Sequence, residues 1–275
     1  MTTPARPSVS ASLVRQAVAE FRKIAAARVT LAFLIAVPVG TFLFAFEIFQ
    51  VEDAHAHMKI PGMFHALPML YFAAWKAMLF QAALVAFAAF WMTIDSQYGM
   101  IRVACAQPVS RTVYLVGKWM GIGAHVAIMS AVFALSLMLW GTVYAGLGDV
   151  GADQVAPLTR FLGEVAWFSV ALAGVGMVAA SFRRTVGSGI VTAAIAIILL
   201  TFTMMIPFDV VPPRFLFMRY FFFPLGELPN PWPAETDSPF VRLRTIGEFL
   251  AVIPATPFVL SLVAVLHFRT RDITE

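Results

Sequence analysis

The chain has 275 residues, 60% of them hydrophobic and only 12% charged, where a soluble domain carries roughly 25% charged residues. So little polar surface cannot cover a globule in water, which excludes an ordinary soluble domain and makes the bilayer the solvent. A single cysteine, Cys105, excludes an internal disulfide framework, and the net charge of +4 suits the cytoplasmic ends of membrane helices better than a nucleic-acid partner.

Residues 1–28 read as a cytoplasmic tail and an amphipathic helix. Leu13, Val14, Ala17, Val18, Phe21, Ile24 and Ala25 share one helical face, Arg15, Arg22 and Lys23 lie opposite, and Glu20 sits at the border. The pattern predicts a helix lying in the inner membrane interface with its cations near anionic headgroups. It serves either as a simple anchor or as an elbow that touches a cytoplasmic partner. Ala54-His55-Ala56 offers a small-x-small cleavage site, but the basic region before it is too long. The apolar core also exceeds the roughly 7–15 residues of a secretory signal, so an uncleaved helix is expected.

Residues 29–268 read as a single all-α membrane domain with six spans, since a spanning helix needs about 20 mainly apolar residues. The spans run from Val29 to Gln50, Leu70 to Ile94, Val113 to Ala145, Pro157 to Ser181, Val186 to Ile206, and Ile246 to His267. The third is too long for one crossing, so its start, Thr112 to Gly123, is expected to project into the cytoplasm or bend there. Residues 269–275 form a cytoplasmic tail.

Orientation follows from the basic residues in short connections. One side holds Arg6, Arg15, Arg22, Lys23 and Arg28, then Arg102, Arg111 and Lys118, then Arg183 and Arg184, then Arg269 and Arg271: twelve of the 19 Lys and Arg. That side is expected to be cytoplasmic, with both termini inside a multi-pass cytoplasmic (inner) membrane protein.

The connections carry their own signals. Asp95 closes the second span, the residues after it have helix-forming character over about three turns, Pro108 ends that helix, and Ser110 is placed to cap the third span. Tyr98, Met100, Ile101, Val103 and Cys105 are too apolar for a merely solvated loop. Residues 207–245 form a long outer loop in which 214–223 reads as a helix on the outer leaflet and the following prolines break it.

Few groups suggest chemistry. Lys76, Glu47, Glu248 and the i,i+4 pair Arg160 and Glu164 all fall near outer ends, where charges anchor or pair. His125 is the histidine well inside a span and reads as a packed core residue. Glu52, Asp53, His55, His57 and His65 include a His-x-His of the type that suits zinc or copper, but an outer loop supplies such residues by composition and no metal site is assigned. Gly117, Gly121 and Gly123 allow close helix approach. Gly117-Lys118 lacks the upstream glycine of a phosphate loop, so no nucleotide site is expected here.

The run Asp95…Gly99-Met100-Ile101-Arg102…Gln107-Pro108-Val109-Ser110-Arg111…Gly117-Lys118 resembles the signature of ABC type-2 (ABC-2) export permeases. "EFRKIAAARVT" is similar to their elbow before the first span, and "HFRTRDI" to the ending of their last. The resemblance implies the transmembrane subunit of an ATP-driven exporter: not itself an enzyme, with no cofactor in this chain and ATP and Mg on a separate ABC ATPase subunit. It implies a second permease subunit (homo- or heterodimer), contact with membrane lipids, and no nucleic acid. The helix from Gln97 to Ala106 would be the cytoplasmic coupling helix, with Tyr98, Gly99, Met100, Ile101, Arg102, Pro108 and Arg111 as coupling residues. Glu20, Arg22 and Lys23 would mark the elbow, and Phe87, Phe90, Phe202 and Met205 would line the pathway. No feature names the substrate. The rival reading is a non-transporting membrane scaffold or sensor using the same helix to recruit a cytoplasmic protein.

Overall fold

The computed structural model describes residues 8–46, 74–100, 110–148, 152–202, 255, 259 and 261–267, and these are helical with short turns and no strand. The elements are α1 (Val9–Ala25), α2 (Arg28–Phe46), α3 (Ala74–Gln97), α4 (Arg111–Ala145), α5 (Ala152–Ser181) and α6 (Val186–Phe202), with 261–267 also helical. Arg28–Phe46, Leu79–Gln97 and Arg111–Ala145 are long and apolar enough to cross a bilayer, and Val165–Ser181 and Val186–Phe202 are shorter apolar helices. The chain is a helical, membrane-associated protein.

α4 is the central pillar, packing against α1, α2, α3 and α5, while α3, α5 and α6 pack on one another. It runs unbroken for 35 residues, about 50 Å at 1.5 Å per residue, against a hydrocarbon core about 30 Å thick. The helix is therefore not interrupted at its start, and its length leaves room for that start to project beyond the bilayer. Ser110 caps it as the sequence predicts, its Oγ accepting from Val113 N at 3.2 Å. Leu84, Leu115, Ile122, Met129 and Phe168 are fully buried among these helices, and Phe80 stacks on Phe133 with ring centroids 4.0 Å apart. Hydroxyls inside the bundle bond their own helix: Ser130 to Val126 O, Ser136 to Val132 O and Ser169 to Val165 O. This is the economical solution where water is absent.

Residue pairings fix the helix directions. Asp95 meets Lys118 while Phe80 meets Phe133, so α3 and α4 are antiparallel. Gln97 meets Val186 and Thr93 meets Gly189, so α6 runs opposite to α3. Gln81 meets Ser169 and Val85 meets Gly176, so α5 runs with α3. The end of α3, the start of α4, the end of α5 and the start of α6 therefore share one end of the bundle. His267, whose ring lies 4.8 Å from that of Phe182, belongs to the same end.

α1 departs from expectation. Instead of spending its apolar face on lipid, it packs along the first turns of α4: Gln16 and Ala17 at Gly117, Glu20 and Phe21 at Gly121, and the Phe21 ring 4.3 Å from that of His125. The packed stripe is Leu13, Gln16, Ala17, Glu20, Phe21 and Ile24, so Glu20 lies at its centre rather than its border. Val14 and Val18 are left 58% and 43% exposed. The physical reason is close approach. An added Cβ on Gly117 would fall 2.5 Å from Gln16 Cγ, and one on Gly121 2.8 Å from Glu20 Cβ, so only glycine lets the two backbones come together.

Candidate functional site: an ion network at the charged end of the bundle

Asp95 lies near the last turn of α3, and its side chain is 7% exposed. An ionised carboxylate in that position needs partners on both oxygens. Oδ1 accepts from Lys23 Nζ of α1 at 2.6 Å, and Oδ2 accepts from Lys118 Nζ of α4 at 2.5 Å and from Tyr114 Oη at 2.8 Å. Tyr114 and Lys118 are four residues apart on α4, hence on one face. Lys23 also reaches Glu20 at 3.5 Å, and Glu20 accepts from Gln16 Nε2 at 3.3 Å. Trp91, one turn before Asp95, places its ring 6.0 Å below Lys23 Nζ.

The group contains two carboxylates and two ammonium groups, so its formal charge is balanced. Lys118 is 1% exposed and Glu20 6%, whereas the Lys23 side chain is 40% exposed and forms the solvent edge. Such a network holds the three helices in one relative position, because moving any of them would strand a buried charge. Among the described residues no three His, Cys, Asp or Glu side chains converge to hold a metal.

Just beyond Asp95, α3 stops. Tyr98 N bonds Ile94 O and Gly99 N bonds Ser96 O, and Gly99 turns into the left-handed region at φ +70°, the usual glycine at a helix end. The helix expected from Gln97 to Ala106 thus does not begin at Gln97: that residue ends α3, and helix resumes at Met100 after the turn. Tyr98 and Met100 project outward, 70% and 53% exposed. Gln97 Oε1 accepts from Val186 N at 2.8 Å, so the end of α3 caps α6.

Of the other residues singled out, Lys23 and Glu20 belong to the network, Arg22 is exposed, and Arg111 is half-buried at the start of α4. Ile101, Arg102 and Pro108 lie outside the described residues, as do Met205, the 52–65 segment with its histidines, the 207–245 loop and the 269–275 tail. Phe87 is buried, 5.4 Å from Phe33, and so fills the contact between α3 and α2 in this chain. Phe90 meets Trp91 edge-on at 5.4 Å, and Phe202 is 57% exposed. His125 is a packed residue, its Nδ1 donating to Gly121 O at 2.9 Å. Sequence reading assigned no joint role to Asp95, Tyr114, Lys118 and Gln16. The signal available was an acidic helix end followed by a Tyr-x-x-x-Lys turn on the next helix.

The sequence matches no protein-family model, and no curated protein is significantly similar to it.

Proposed function

We propose that this chain is the membrane-spanning subunit of an ATP-driven exporter, working as a pair and driven by a separate ATPase chain. The observation that supports this reading is the junction of Asp95, Lys23 and Lys118. It ties α1, α3 and α4 into one block, and the exposed Tyr98 and Met100 leave that block at the Gly99 turn. A partner that grips the segment after Gly99 would move the block as a unit, and any difference in its grip between two states would shift the tilt of α3 and α4. The alternating helix directions favour six spans with both termini on one side. The described members of the larger basic group gather at the end holding the network, which favours a cytoplasmic position for that end in an inner membrane.

The test is coupling in the complex reconstituted with its ATPase. Charge reversal at Arg102, or proline substitution at Ile101, is expected to abolish substrate-stimulated ATP hydrolysis while the helical content and melting of the permease stay unchanged. Normal stimulated hydrolysis in both variants would overturn the reading. So would crosslinks from Met100 that capture only partners without a nucleotide site.

A further inference from the structure

α4 presents three glycines near its start, and two of them are accounted for by α1. The third is not. A Cβ on Gly123 would meet nothing nearer than Val170 Cγ1 at 3.9 Å, so helix packing does not require glycine there. Instead Gly123 opens into a cavity of about 490 Å³ between α4 and α5, flanked by Trp119, Met120, Trp167, Val170 and Met177 and reached by Ser261 of the 261–267 helix. This volume is in the range of about 300–1,000 Å³ that holds a small molecule, and the lining is almost wholly apolar.

We propose that this groove binds one acyl chain of a bilayer phospholipid from the leaflet at the charged end of the bundle. Three observations point to that occupant. The groove adjoins a stripe of exposed apolar residues on α4, Met120, Ile128, Leu135 and Leu139, each more than 40% exposed, a face suited to hydrocarbon and not to water. The groove occupies the first third of a helix about 20 Å longer than a hydrocarbon core is thick, which brings it to the headgroup boundary. Trp119 flanks it there, and indole rings favour that boundary, while Trp167, on the antiparallel α5 whose Val170 faces Gly123, lies about two turns deeper. A chain entering beside Trp119 runs along α5 past Trp167 toward the bilayer interior and gains contact for every methylene it buries. The proposal needs only a membrane-embedded helical chain and is independent of any ATPase.

The experiment counts phospholipid retained by the full-length chain after extraction in detergent and exhaustive washing, by organic phosphate and native mass spectrometry. The wild type is expected to keep about one phospholipid per chain. Gly123→Leu, whose side chain enters open space, is expected to lose at least about five-fold of it with its melting temperature preserved. Gly163→Leu, on α5 with nothing within 4 Å of its added Cβ, serves as control and keeps the lipid. A stripped wild type, or equal retention in Gly123→Leu, would overturn the proposal. A second arm places Met120→Cys in a Cys105→Ala background: efficient disulfide formation between two copies in native membranes would assign the groove to a second chain instead, whereas modification by a lipid-soluble maleimide without dimer formation supports the lipid.

Discussion

Asp95 near the end of α3 and Lys118 two turns into α4 form an ion pair of 2.5 Å, with 5% and 1% of their surfaces exposed. Removing one member strands the other. Lys118→Met leaves Asp95 with only Lys23 and Tyr114, and Asp95→Asn leaves Lys118 buried beside an amide. Each is expected to destabilise the protein by about 3–5 kcal/mol, as breaking a buried pair does. The double variant Asp95→Asn with Lys118→Met removes both charges and is expected to cost clearly less than the two singles together, because neighbouring sites couple. Thermal melts of the four proteins in one detergent check this, and strict additivity would show that the pair does not interact.

How much of this could be read beforehand differs from element to element. The membrane class, the starts of α2 and α6, the Ser110 cap and the close approach at Gly117 and Gly121 were legible, because each depends on local composition or spacing. The network was not. Lys118 reads as one more cytoplasmic cation, Asp95 as a polar helix end and Glu20 as the edge of an amphipathic face. Each is ordinary alone, and only the packing of both α1 and α3 against α4 brings them within bonding distance. For the same reason the apolar stripe of α1 could not disclose its partner: hydrophobic periodicity marks a face to be covered without saying whether lipid or protein covers it. Phe87 illustrates the limit from the other side, since an aromatic residue on a span fits a core as well as a pathway.

Gly121 tests the seating of α1 directly. A Cβ there would lie 2.8 Å from Glu20 Cβ and 3.1 Å from the Phe21 backbone nitrogen, and a backbone atom cannot rotate aside as a flexible side-chain tip does. Gly121→Leu is therefore expected to lift α1 from α4 and weaken the Lys23–Asp95 contact. Limited trypsin digestion reads this out, since Arg15, Arg22 and Lys23 all lie on α1: cleavage there should accelerate by about an order of magnitude, in keeping with a loss of 1–2 kcal/mol of local protection. Unchanged protection would show that the glycine is not what seats the helix.

Gln97 makes a prediction with two signs. Its Oε1 accepts from Val186 N at 2.8 Å, closing a backbone donor at the start of α6 from a different helix. Gln97→Leu removes the acceptor at an exposed site, where water partly replaces it, for a loss of about 0.5–1 kcal/mol. Gln97→Glu keeps the acceptor and adds negative charge at a helix N-terminus, for a gain of about 0.3–1 kcal/mol. Hydrogen exchange at the first turn of α6 should slow in Gln97→Glu and quicken in Gln97→Leu; a shift in the same direction for both would remove the capping role.

Gly99 isolates backbone conformation from packing. Its φ is +70° and an added Cβ would meet nothing within 4 Å, so a substitution is opposed only by the left-handed geometry. Gly99→Ala is expected to cost about 1–2 kcal/mol there, and Gly99→Asn less, because its short polar side chain tolerates that region. The consequence for function is sharper than the loss of stability. A residue that avoids φ +70° would straighten the end of α3 and redirect Met100, so Gly99→Ala should depress crosslinking from Met100→Cys to the proposed ATPase chain while Gly99→Asn largely restores it. If both variants crosslink like the wild type, the turn does not aim the segment that follows it.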